Sequence, residues 1–121
     1  MQDSQTTLKQ LKSKVDRFRK ARNWVTSDKN LSVSIVLEAA ELLENFQWDD
    51  YASYKDNKKI QEELADVLIY CLEFAIDSNI DVSAAIEKKL KKNDAKYPVR
   101  LVKDGNSNYY ALKKAHRANS K

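Results

Sequence analysis

Two short acidic motifs, Glu38-Ala39-Ala40-Glu41 and Glu63-Leu64-Ala65-Asp66, sit in helical patterns with 21 residues between them. A helix turns successive side chains by about 100°, so residues three apart share one side of it. With Ile35 as origin, Leu31, Ala39, Leu42 and Phe46 fall within about 40° and form an apolar stripe. Glu38 and Glu41 then lie at about −60° and −120°, on one shoulder of that stripe. With Ile60 as origin, Leu64, Val67 and Cys71 form a second stripe, and Glu63 and Asp66 land at about −60° and −120° again. The two helices carry the same carboxylate pair at the same place. Packed antiparallel, they would bring four acids to the edge of one core.

Such convergence demands a cation. Unit charges about 4 Å apart repel by roughly 4 kcal/mol at an effective dielectric of 20. Ligation by carboxylates alone suits Mg²⁺, with Mn²⁺ as an alternative, because zinc prefers nitrogen or sulfur. Solvated helix faces are the commoner setting for glutamate. The duplicated angular placement is what speaks against that setting here.

At 121 residues the chain is expected to form one domain, and one Gly and one Pro argue against a turn-rich all-β protein. No apolar run approaches 18 residues, and the polar start Met1–Thr7 lacks the apolar core of a signal peptide. A cytoplasmic location is expected. The single cysteine, Cys71, falls on the second stripe and reads as a small core residue. The net charge of +4 conceals an asymmetry: residues 1–87 sum to −5 and residues 88–121 to +9. The basic part is suited to a nucleic acid, or to a polyphosphate held by metal at the acids.

In chain order, Leu8, Leu11, Val15 and Phe18 predict a helix over 5–23, capped by Asp3 or Ser4, with Lys and Arg on its polar positions and Trp24 ending it. Asn30 is expected to cap a second helix over 31–47. Glu44 lies roughly opposite its stripe and is left out of the metal set. The segment Phe46-Gln47-Trp48-Asp49-Asp50-Tyr51 is expected to turn the chain. A third helix is predicted over 53–77, with Tyr70 at about −80°, directly over the Glu63/Asp66 shoulder. Asp81 caps a fourth, over 82–95, whose core face is Val82, Ala85, Ile86 and Leu90. Lys89, Asn93 and Tyr97, spaced by four, offer an ammonium, an amide and a phenol along one ridge. Pro98 stops the helix, Gly105–Asn108 mark a loop, and the remaining residues are expected to fray.

These residues resemble a known family. The Glu-x-x-Glu, spacer, Glu-x-x-Asp arrangement is similar to the signature of the all-α nucleoside triphosphate pyrophosphohydrolases. Phe46-Gln47-Trp48, the run Glu62–Tyr70, and Lys89, Asn93 and Lys96-Tyr97-Pro98 resemble its MazG-like and dCTP pyrophosphatase branch, across residues 15–100. The resemblance implies an all-α, four-helix-bundle-like domain over 1–98 with a metal site between its two central helices. Residues 99–121 would be a basic extension, loosely structured or packed on a neighbouring subunit. It implies Mg²⁺-dependent cleavage of a (deoxy)nucleoside triphosphate to the monophosphate and pyrophosphate, in nucleotide-pool housecleaning. Glu38, Glu41, Glu63 and Asp66 would be the metal ligands. Lys89, Asn93 and Tyr97 would hold phosphates and sugar, Tyr70 would touch the substrate beside the metal, and Trp48 and Trp24 would lie near the base. Leu37 stands where many relatives carry another acid, and the Trp24–Asn30 connection lacks the histidine of the eukaryotic dCTP enzymes.

A chain of this size leaves little core per helix, so a homodimer or homotetramer is expected, without membrane or nucleic-acid partners. A di-iron bundle would need Glu-x-x-His pairs, and the one histidine, His116, lies outside the four helices. The remaining alternative is a non-enzymatic helical adaptor or nucleic-acid-binding bundle that uses the basic tail.

Overall fold

The computed structural model describes residues 1–48, 57–102 and 109–119, and every regular element among them is a helix. The elements are α1 (Leu8–Ala21), α2 (Asp28–Glu44), α3 (Asn57–Asp77), α4 (Val82–Lys96), the single turn α5 (Val99–Val102) and α6 (Tyr109–Asn119). The all-α class expected from the sequence is the class observed.

Local chemistry sets the helix ends. At Thr7 the side chain accepts from the Gln10 N–H at 3.1 Å while the Thr7 N–H donates to Gln10 Oε1 at 2.8 Å. This reciprocal box starts α1 at Leu8, later than the expected Asp3 or Ser4 cap. At α2 the Ser27 hydroxyl accepts from the Asn30 N–H at 3.2 Å, so the cap lies three residues before the expected Asn30 and the helix begins at Asp28. Helices α1 and α3 end alike. Asn23 and Asn79 take φ of 54° and 53°, the left-handed region asparagine tolerates. The Trp24 N–H reaches the Arg19 carbonyl at 2.9 Å, and the Ile80 N–H reaches that of Ala75 at 2.8 Å, satisfying carbonyls the helix leaves open. Helix α1 thus stops before Trp24. At α2 the Asn45 side-chain amide donates to the Glu41 and Leu42 carbonyls. Asp81 caps α4 as expected, its carboxylate accepting from the Ala84 N–H at 2.9 Å. The expected start of α3 at 53–56, the acidic end of the aromatic segment (Asp49–Tyr51) and the Gly105–Asn108 loop lie outside the described residues.

The chain divides into two compact units, Met1–Ile80 and Asp81–Lys121. In the first, α2 and α1 both pack on α3. Among the described residues its buried side chains are Leu31, fully enclosed, with Leu72, Ala75 and the charged Arg19. In the second, α4 meets α6. The tail expected to fray carries an eleven-residue helix, rich in the Ala, Leu and Lys that favour one.

Several stripe residues are less covered than their spacing implies. Leu64 is 47% exposed, and Phe18, Leu68, Ile86 and Leu90 are exposed as well. Ile35, Leu42, Phe46 and Cys71 are half-buried, and Ala39 and Ala85 are exposed. Helix α2 is apolar around most of its circumference, with Val33, Val36, Leu37 and Leu43 open on the side away from Ile35. Periodicity marks which residues prefer burial. It does not say whether this chain alone has the surface to bury them.

Candidate metal centre and its surroundings

Packing of α2 on α3 delivers the acids to one place. Carboxylate oxygens of Glu38 and Glu41 on α2 and Glu63 on α3 all lie within 4.8 Å of one another. Glu38 and Glu63 are half-buried, and Glu41 is exposed. Loss of water pushes the Glu38 carboxyl above its ordinary value, and the like charge and hydrogen bond of Glu41 push it further. Glu63 is raised in the same order, by loss of water and then by Glu41, with Lys59 giving partial relief. The close set has three members rather than the four expected from the motifs. Asp66 remains near enough to repel Glu38 and Glu63.

Tyr70 sits where the helical angle put it. Burial raises its phenol pKa first, and the charges of Glu38, Glu73 and Asp66 raise it further. It therefore stays protonated at neutral pH and offers an O–H donor beside the acids.

The donor set fits a hard divalent ion. Oxygens around an octahedral Mg²⁺ at about 2.1 Å stand about 3 Å apart when adjacent and about 4 Å when opposite. Three carboxylates within 4.8 Å need only small side-chain adjustments to reach that geometry. The raised pKa values of Glu38 and Glu63 mark groups that gain from a positive charge.

The other residues singled out by sequence divide between the two units. Trp24 packs its ring edge-on against Phe18, centroids 5.9 Å apart, and the Arg22 guanidinium lies 3.6 Å over the Phe18 ring. Trp48 is 92% exposed. In the second unit, Lys89 is exposed while Asn93 and Tyr97 are half-buried. The Tyr97 N–H donates to the Asn93 carbonyl at 2.7 Å, closing the end of α4.

One cluster escaped the sequence reading. Arg19, placed among the solvated positions of α1, is buried. Its Nη1 donates to Asp77 Oδ2 at 3.1 Å, its Nη2 to Asp77 Oδ1, and its Nε to Asp16 Oδ1 at 3.1 Å. Asp77, followed by Asp16, holds the guanidinium pKa above its usual value. Lys20 and then Arg19 hold the Asp16 carboxyl below the carboxylate range against a smaller opposing effect of burial. The Lys12 ammonium also donates to the Ile80 carbonyl, tying α1 to the residues just past α3. Only the three-residue spacing of Asp16 and Arg19 hinted at this arrangement.

Comparison with known proteins agrees with this architecture. The MazG-like family profile matches residues 33–112, which include both acidic motifs and Lys89, Asn93 and Tyr97. The chain belongs to the MazG-like family. It is 32% identical over 115 residues to dCTP pyrophosphatase 1 of Rattus norvegicus, covering 88% of this chain and 68% of that protein. It is 30% identical over 115 residues to dCTP pyrophosphatase 1 of Homo sapiens, with the same coverage. A crystal structure of a pyrophosphatase from Archaeoglobus fulgidus superposes with a TM-score of 0.65 at 35% identity, covering 81% of this chain and 98% of that one.

Proposed function

We propose that this chain is a Mg²⁺-dependent nucleoside triphosphate pyrophosphohydrolase that cleaves a (deoxy)nucleoside triphosphate to the monophosphate and pyrophosphate. The hydrolase class follows from membership of the MazG-like family and from relatives named as pyrophosphatases. The observation that carries the reading is the meeting of Glu38, Glu41 and Glu63 from two helices within 4.8 Å.

Glu38, Glu41 and Glu63, joined by Asp66 on substrate binding, would hold the ion. A bound Mg²⁺ would neutralise triphosphate oxygens and lower the pKa of a coordinated water. The chain's own part is positioning. Helices α2 and α3 fix the carboxylates on a packed scaffold, and the Tyr70 hydroxyl would donate to the substrate beside them. Lys89, Asn93 and Tyr97 would bind phosphates and sugar, and Trp48 and Trp24 would supply faces for a base. Phosphoryl chemistry needs orientation and charge neutralisation more than a covalent nucleophile.

Residues 1–98 would form the catalytic domain and 99–121 a basic extension. The role would be nucleotide-pool housecleaning in the cytoplasm, and no helix among the described residues is long and apolar enough to cross a membrane. The open apolar side of α2 supports a homodimer or homotetramer.

The test is incubation of purified protein with Mg²⁺ and a panel of deoxynucleoside triphosphates, with pyrophosphate as the readout. Pyrophosphate release that disappears in Glu63→Ala is expected. Release undiminished in that variant overturns the assignment.

A further inference from the structure

The second unit holds a stacked aromatic pair of which the proposed reaction uses only Tyr97. The rings of Tyr97, at the end of α4, and Tyr109, the first residue of α6, lie 5.0 Å apart between centroids with an interplanar angle of 14°. Tyr110 packs edge-on against Tyr109 at 5.2 Å. The Lys96 ammonium lies 5.1 Å from the Tyr97 ring centroid, and that of Lys113 lies 5.7 Å from the Tyr109 centroid.

The backbone of Tyr97 is already fixed. Its N–H is bound to the Asn93 carbonyl, and Pro98 follows it. What remains is the direction of the side chain, which has two torsions. A parallel neighbour at 5.0 Å restricts the ring plane and so the bearing of the phenolic oxygen. One ammonium beside each ring makes the surroundings of the pair cationic, which suits an anionic ligand.

We infer that Tyr109 is a positioning residue for substrate, its ring stacked on Tyr97 so that α6 fixes the bearing of the Tyr97 hydroxyl for substrate binding. This rests on the reading of Tyr97 as a substrate-binding residue. Tyr109 itself touches no substrate: its contribution is ordering that Tyr97 would otherwise undergo on binding. Its own hydroxyl is not needed, because the stack is made by the ring.

The experiment is steady-state hydrolysis of dCTP with Mg²⁺ by the full chain and four variants, with circular dichroism to verify helix content. Tyr109→Leu keeps apolar volume and helix propensity but removes the ring. It is expected to raise KM roughly 2- to 10-fold with kcat little changed, the range a lost aromatic pair supports. Tyr109→Phe should restore the wild-type KM. Tyr97→Ala should raise KM at least as far, and adding Tyr109→Leu to it should bring no further rise. A raised KM in Tyr97→Ala with Tyr109→Leu unchanged overturns the positioning role alone. An unchanged KM in Tyr97→Ala overturns the reading of Tyr97 and the inference with it. A fall in kcat with KM unmoved in Tyr109→Leu, or a Tyr109→Phe variant as impaired as the leucine one, also overturns the inference.

Discussion

Arg19 on α1 grips both carboxylate oxygens of Asp77 at the last turn of α3, and it does so from a buried position. This two-pronged pair and the Asp16 contact join the first helix to the helix that carries Glu63 and Asp66.

Loss of this guanidinium would take the fork from Asp77, while Asp16 keeps its pairing with Lys20. Removing one member of a fully buried pair costs about 3–5 kcal/mol. The Asp77 side chain is 27% exposed, so water takes up part of its charge, and about 2 kcal/mol is the expected loss for Arg19→Met. Arg19→Lys should recover only part of it, because an ammonium cannot make the fork. Urea unfolding of both variants measures this. Equal midpoints for wild type and Arg19→Met would show that the clamp adds nothing.

The same cluster has a pH signature of stated sign. The folded pKa of Asp16 is depressed, so its contribution is present above the ordinary carboxylate value and is lost as pH falls through the folded one. Glu73 behaves oppositely. Burial raises its folded pKa, Arg19 offsets part of that, and Asp77 adds to it. Its ionised form therefore costs stability once pH exceeds the folded pKa. Glu73→Gln should raise the Tm at pH 7.5 and leave it little changed near pH 4 (both approximate). Thermal unfolding at the two pH values is the check, and a lower Tm at the higher pH would reverse the sign.

The carboxylate centre predicts a conflict between function and stability. Glu41 raises the pKa of both Glu38 and Glu63. In metal-free protein at neutral pH, Glu41→Gln should unfold at a higher temperature than wild type. In the presence of Mg²⁺ it should lose pyrophosphate release by about 100-fold or more, as a metal ligand would. Calorimetry with and without the ion, paired with the activity assay, tests both halves.

Removal of metal gives an independent check. Chelation should abolish pyrophosphate release, and added Mg²⁺ should restore it and raise the Tm, more at pH 8 than at pH 5 (both approximate), because ligands must be ionised to bind. Activity that survives exhaustive chelation would remove the ion from the mechanism.

The exposed side of α2 predicts association. Leu37→Glu or Leu43→Glu should shift the protein to a smaller species in size-exclusion chromatography with light scattering. A wild-type chain that runs as a monomer at all concentrations would refute the assembly.

Much of this was legible in the residues because helices translate spacing into direction. The shoulder angles of Glu38, Glu41 and Glu63 anticipated their meeting, and that of Tyr70 placed its ring beside them. Asp66 shows the limit: a helical angle gives direction but not depth, so the fourth acid stands outside the close set. The Arg19 clamp joins residues 58 apart, and no local pattern encodes such a pair. Helix starts moved because a capping side chain other than the expected one closed each first turn. Thr7 and Ser27 prevailed through hydrogen bonds whose geometry depends on the backbone path. Trp24 ended no helix, since an asparagine able to take positive φ stood one residue earlier.

The two arms of the acidic centre belong to consecutive helices, so the stretch of chain that builds it is complete once residue 77 is made. A change confined to α4 or α6 should therefore leave the three carboxylates within reach of one another.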